Sequence, residues 1–186
     1  MPDARVVYFP ALFNAAESNA LLEELKTTIA WRQDDIRMFG KWIPQPRLTA
    51  WYGDAGKSYK YSGITMQPMP WLPVLLDIKA RIEPLSGTVY NSVLLNYYRG
   101  GSDSMSWHAD DEPELGANPV IGSVSFGAER MFHFRHNATQ AKQHLVLGHG
   151  SFLLMAGPTQ HHWQHQIPKT QRAIAERINL TFRVIQ

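Results

Sequence analysis

Apolar residues recur at helical spacing in two stretches of the first half of the chain, and at strand-like spacing through most of the second. Residues 6 to 13 are apolar and aromatic, and Asn14 is placed to cap a helix over Ala15 to Ile29, with Leu21, Leu22, Leu25 and Ile29 on one face. A second helix is predicted over Pro70 to Leu85, with Leu72, Leu75, Leu76 and Ile82 on one side, Pro73 in its first turn and Gly87 just beyond it. Thr88 to Tyr98, Val120 to Phe126, Met131 to His136, Gln143 to Leu147, Ser151 to Met155 and Arg177 to Ile185 then read as short strands with Gly and Pro between them. The pattern predicts a mainly β chain with flanking helices (α+β), its C-terminal half a sandwich or jelly roll.

The final strand has two unlike faces. Side chains alternate along a strand, so Arg177, Asn179, Thr181 and Arg183 share one side, and Ile178, Leu180, Phe182 and Val184 the other. Two arginines flanking an amide and a hydroxyl suit an anion with carboxylates; the same pattern also fits a solvated outer face.

Composition narrows the chemistry. The 186 residues fit one domain that buries roughly 70% of its unfolded surface. With 44% hydrophobic and 18% charged residues the chain reads as soluble and globular. No run approaches the roughly 18 apolar residues of a membrane span, and the N-terminus opens no signal region, so a cytoplasmic location is expected. A formal charge of +2 neither demands nor excludes a nucleic-acid partner. With no cysteine, thiolate metal sites and cysteine nucleophiles are excluded, which leaves metal or acid–base work to histidines and carboxylates. Between Arg32 and Ser62, Arg37, Lys41, Arg47, Lys57 and Lys60 are interleaved with aromatics. That suits a surface tracking phosphates and stacking bases, or else a twisted hairpin with a solvated edge.

His108 and Asp110 stand two apart in Trp107-His108-Ala109-Asp110-Asp111-Glu112, so an extended chain points both to one side. A distant histidine added to them makes the two-histidine, one-carboxylate triad of non-haem Fe(II) oxygenases. Such a set leaves Fe(II) with a single net positive charge and open positions for an anionic co-substrate and dioxygen. His149, His161, His162 and His165 all compete for the third place, and spacing does not choose among them.

Asn96-Tyr97-Tyr98, the segment Trp107 to Glu112, Ser125-Phe126-Gly127-Ala128, Phe132-His133-Phe134-Arg135-His136, His162-Trp163-Gln164-His165 and the strand Arg177 to Arg183 together resemble the AlkB family of Fe(II)- and 2-oxoglutarate-dependent dioxygenases. The likeness extends upstream through Phe39-Gly40-Lys41-Trp42, Pro46-Arg47 and Tyr52-Gly53-Asp54-Ala55-Gly56, where it is closest to the DNA-acting homologues. It implies a double-stranded β-helix core over 87–186, N-terminal helices and a nucleotide-recognition lid over 1–86, all in one compact, monomeric unit. It also implies Fe(II), 2-oxoglutarate and O2, with His165 joining His108 and Asp110 on the metal.

The resemblance assigns Asn96, Tyr98, Arg177, Asn179 and Arg183 to 2-oxoglutarate. Arg177 with Tyr98 is expected on the distal carboxylate, and Arg183 with Asn179 near the metal-bound end. The implied substrate is an N-alkylated base of the 1-methyladenine or 3-methylcytosine type in DNA, released as formaldehyde and repaired base. Tyr59 and Tyr61 are expected to stack on that base, Phe39 to wedge into the helix, Lys41 and Arg47 to hold phosphates, and Asp111 either to meet the exocyclic amine or to support the neighbouring metal ligands. An RNA substrate, a protein or small-molecule substrate, and a modified-base binding module without turnover are the alternatives. His133, His136, His144 and His149 are expected in packing or surface roles.

Overall fold

The computed structural model describes the backbone of residues 1–38, 41–57, 59–61 and 64–186, and the side chains of 1–35, 42–57 and 67–186. Helix α1 (Ala15–Thr28) begins at a reciprocal cap. Asn14 Oδ1 accepts the Glu17 N–H and Glu17 Oε2 accepts the Asn14 N–H, both at 2.9 Å. Helix α2 (Pro73–Ser86) starts later than its apolar spacing predicts, because Pro73 at the first helical position holds Leu72 extended. It stops at Gly87, whose φ of 66° suits a residue without Cβ. Its buried stripe is Val74, Leu75, Ile78 and Ile82, so Leu76, expected on that face, turns to the other side of the helix and is 44% exposed.

Two antiparallel sheets carry the rest. The larger runs in the order β1 (Arg5–Phe9), β12 (Ser151–Ala156), β9 (Ile121–Gly127), β14 (Arg177–Arg183), β7 (Ser92–Tyr98), β4 (Leu48–Gly53). The smaller runs β11 (Lys142–Leu147), β10 (Arg130–His136), β13 (Trp163–Ile167), β8 (Met105–His108). Two hairpins, β2 (Asp35–Met38) with β3 (Lys41–Pro44) and β5 (Tyr59–Tyr61) with β6 (Ile64–Met66), form separate two-stranded ribbons. This is the jelly-roll arrangement that the strand pattern predicts.

The sequence pattern did not reveal β1, β4, β8 or β13. β1 and β4 also correct the division expected at residue 86, since the segment assigned to helices and lid supplies both edge strands of the large sheet.

Strand β14 lies between β9 and β7, with Arg177 opposite Tyr98 and Gly127, and Asn179 opposite Asn96 and Ser125. All seven of its residues are buried. Ile178, Leu180 and Phe182 join a core formed with Leu25, Val74, Ile78 and Val124 beneath the two helices. A second core, including Tyr98, Phe132, Leu153, Met155 and Trp163, lies on the other side of the large sheet. Each large apolar side chain removed from water contributes roughly 1.5–3 kcal/mol, so both faces of β14 are fixed by packing. The solvated reading of its polar face is therefore excluded.

Candidate active site

The polar face of β14 opens on a cavity lined by Asn96, Tyr98, His108, Asp110, His165 and the alternate residues Arg177 to Arg183. The smaller sheet supplies the other wall: β8 ends at His108, which pairs directly with His165 on β13. Asp110 follows two residues past the strand end. His108, Asp110 and His165 each place a potential ligand atom within 4.8 Å of the others. Asp110 and His165 are 2% and 4% exposed, so this carboxylate and imidazole converge away from water.

Hydrogen bonds fix how these groups point. His108 Nδ1 donates to the Ser106 carbonyl at 2.8 Å, which leaves Nε2 with its lone pair free. Phe132 stacks on the His165 ring, with centroids 5.1 Å apart. Burial, and after it the neighbouring His108, pull His165 down to about 3, so the imidazole is neutral at pH 7 as ligation requires. Burial works to raise the Asp110 carboxyl, but the Arg183 guanidinium in contact with Oδ1 overrides it and holds the group below the ordinary carboxylate range. The Asp110 N–H donates to Gln160 Oε1 at 3.0 Å. Gln160 lies in the short helix α3 (Thr159–His162) and is 1% exposed. Sequence reasoning missed this residue, because a single backbone contact made by a glutamine 50 residues away leaves no spacing signal.

Arg177 is 1% exposed, and its Nη2 donates to Ser125 Oγ at 2.9 Å. Its Nε and Nη1 are buried without hydrogen-bond partners among the described residues. The guanidinium packs over the Tyr98 ring at 5.1 Å, and burial pulls it down to about 10, still a cation at neutral pH. A buried cation with unused donors is costly unless an anion completes it. The arrangement therefore fits a carboxylate at this end of the cavity, and the donor set at the other end fits Fe(II).

The expected co-substrate residues are thus brought to one cavity. Asn179 donates from Nδ2 to Ser123 Oγ at 2.8 Å and to the Val124 carbonyl at 2.9 Å, while its Oδ1 accepts from Thr181. Arg47 requires a correction. It is 3% exposed, with Nε donating to Asn96 Oδ1 at 2.7 Å, so it braces the cavity and does not lie on an exposed phosphate-tracking surface. Asp111 is exposed beside Asp110. Phe39 lies outside the described residues, as do the side chains of Lys41, Tyr59 and Tyr61.

Two other histidines are spoken for. His149 Nδ1 accepts the Gly127 N–H at 2.8 Å, so Nε2 donates to Asn19 Oδ1 at 3.1 Å. Asp3, His136 and His162 also cluster within 4.8 Å. However, His136 Nδ1 accepts the N–H groups of Ala138 and Thr139, both at 3.2 Å. Its hydrogen is then on Nε2, facing Asp3 Oδ2 at 3.4 Å, as a donor and not a metal ligand.

A jelly roll with two imidazoles and a carboxylate at one end of its cavity and buried guanidinium groups lining it defines the class. The chain matches the 2OG-Fe(II) oxygenase superfamily over residues 5–183. It is 43% identical to the rat alpha-ketoglutarate-dependent dioxygenase alkB homolog 3 over 98% of this chain and 64% of that protein. It is 41% identical to the human DNA oxidative demethylase ALKBH2 over 95% of this chain and 72% of that one. Among solved structures, OsALKBH1 superposes with a TM-score of 0.66 at 19% identity, covering 96% of this chain and 97% of that one, a likeness of fold. The chain belongs to the AlkB family of that superfamily. It spans about two thirds of the length of the alkB homolog 3 relatives, 64% for the rat protein.

Proposed function

We propose that the chain is an Fe(II)- and 2-oxoglutarate-dependent dioxygenase that removes N-alkyl groups from bases of the 1-methyladenine or 3-methylcytosine type in DNA. The observation that carries this reading is the pairing, in one cavity, of the His108, Asp110 and His165 cluster with Arg177, a buried cation that bonds no anion among the described residues. Similarity to proteins named DNA oxidative demethylase favours the nucleic-acid substrate.

Bound Fe(II), with 2-oxoglutarate and O2, supplies an oxidant for an unactivated C–H bond and yields succinate. His108 Nε2, the Asp110 carboxylate and His165 would hold the metal. Arg183, in contact with Asp110 Oδ1, keeps that carboxylate ionised and lies with Asn179 toward the metal end of the co-substrate. Arg177 offers Nε and Nη1 to the distal carboxylate beside Tyr98, each charge-assisted bond contributing about 1.5–3 kcal/mol. Arg47 holds the Asn96 oxygen, which turns the amide donors of Asn96 away from it. Phe132 and Met155 line the cavity and limit water. On the substrate side, Tyr59 and Tyr61 are assigned to stacking on the extruded, usually cationic base. Phe39 is assigned to the gap it leaves, Lys41 to a phosphate and Asp111 to the exocyclic amine.

The test is to mix iron-loaded protein, 2-oxoglutarate and a panel of methylated single- and double-stranded DNA and RNA, then assay formaldehyde and succinate. Both products from methylated DNA are expected. Neither product overturns the enzyme reading, and turnover confined to RNA overturns the DNA assignment.

A further inference from the structure

Arg130 opens β10 and is absent from the walls of the cavity, yet it is built into the same corner of the molecule. It is 4% exposed, and its Cζ lies 5.6 Å from the centroid of the Tyr98 ring, the ring that Arg177 also packs over. Its fork makes three hydrogen bonds, all to backbone carbonyls: Nη1 to Gly100 at 3.2 Å, and Nη2 to Asp103 at 3.0 Å and Pro168 at 2.7 Å. None of these acceptors is charged. The nearby Asp103 carboxylate is taken by Arg99, through Nε at 2.8 Å, Nη2 at 3.0 Å and the backbone N–H at 2.9 Å. Arg130 is therefore a second buried cation at Tyr98 that bonds no carboxylate among the described residues.

The carbonyls it gathers come from two loops. One, from Arg99 to Ser104, leads into β8 and so to His108 and Asp110. The other starts at Pro168 and joins the strand of His165 to that of Arg177. The loops already touch, since the Thr170 N–H donates to the Gly101 carbonyl at 2.9 Å and a Cβ on Gly101 would stand 2.5 Å from the Thr170 oxygen. A planar guanidinium with several donors can bridge them where a single ammonium cannot.

We propose that Arg130 is a positioning residue for the co-substrate: it pins both loops against Tyr98 and adds positive potential at the end of the cavity that receives the distal carboxylate. The inference rests on the 2-oxoglutarate reading above. The Arg130 charge acts on the far carboxylate, so its removal discriminates between 2-oxo acids that have this group and those that lack it.

The experiment uses the full chain loaded with redox-inert Mn(II), with dissociation constants for 2-oxoglutarate and 2-oxobutanoate measured by titration calorimetry. Arg130→Met is expected to weaken 2-oxoglutarate about tenfold or more, the scale of losing one unit charge acting through the protein at short range, while 2-oxobutanoate and Mn(II) affinities change less than about twofold. Arg130→Lys keeps the charge without the fork and is expected to fall between the two. If circular dichroism shows Arg130→Met unfolded, Arg130→Lys against the wild type carries the same comparison. An unchanged ratio of the two 2-oxo acid affinities overturns the inference. Failure of the wild type to bind 2-oxoglutarate overturns the function on which it rests.

Discussion

Asp110 is held from two sides, by Gln160 at its backbone N–H and Arg183 at its carboxylate. Replacing Gln160 with Leu leaves the N–H without its acceptor, which costs about 1–3 kcal/mol of stability. Chemical denaturation is expected to show that loss, and a Mn(II) titration to show weaker metal binding; an unchanged metal affinity would reduce Gln160 to packing. Arg177 gives the opposite sign. Because its Nε and Nη1 lack partners, Arg177→Met is expected to leave the ligand-free protein as stable as before or more so, by about 1 kcal/mol. The same change weakens 2-oxoglutarate at least about tenfold. A large stability loss in calorimetry would mean that the cation is already compensated. Of these residues, His108 and Asp110 were legible in the sequence because a spacing of two survives in any extended chain. The third histidine was not, since four candidates shared the same stretch, and only the family resemblance separated them. Arg47 was misplaced because basic and aromatic composition reports the presence of charge but not its direction.

At the scale of elements, α1 is tied to the start of β14 by a polar relay. Lys26 Nζ lies 2.6 Å from Glu176 Oε1, and the Tyr97 hydroxyl donates to Glu176 Oε2 at 2.5 Å. Bonds from Lys26 first, and Tyr97 second, hold the Glu176 carboxyl below its ordinary value. A carboxyl lowered in the folded state stabilises above its unfolded value, roughly 4.3, and that contribution is lost as pH falls through the folded one. Wild type is therefore expected to exceed Glu176→Gln by about 0.5–1 kcal/mol at pH 7, with the gap closing below about pH 4 in acid denaturation series; a gap independent of pH would remove the charge from the account. The helices and the long strands were legible because their apolar periods are strong. β8 has four residues, and β13 alternates Trp163, His165 and Ile167 with glutamines, so neither offers the apolar run that marks a strand. β1 and β4 are edge strands whose role is set by pairing with distant β12 and β7.

For the whole molecule, the metal-binding candidates come from the smaller sheet and the following loop, and the co-substrate candidates from the larger. Ligands that span the cavity therefore join the two sheets. Mn(II) and 2-oxoglutarate together, at about a hundredfold excess over their dissociation constants, are expected to stabilise the fold by about 2.7 kcal/mol per site. For a chain of this size that corresponds to a rise in melting temperature of roughly 5–10 °C for each site and about twice that for both, reversed by a chelator. Thermal unfolding with each ligand alone and with both checks this, and no shift with both would mean that the cavity does not hold them.

The two-sided burial of β14 bears on how the sheet finds its alignment. Sliding the strand by one residue against β9 and β7 would turn Arg177 and Arg183 toward Leu25, Val74 and Ile78, and Ile178, Leu180 and Phe182 toward the metal cavity. Two unpaired guanidinium groups in oil cost several kcal/mol each, enough to empty the slipped state. The guanidinium groups that line the cavity of the folded protein thus also act as a vernier during folding, rejecting every odd misalignment of the central strand before any ligand arrives.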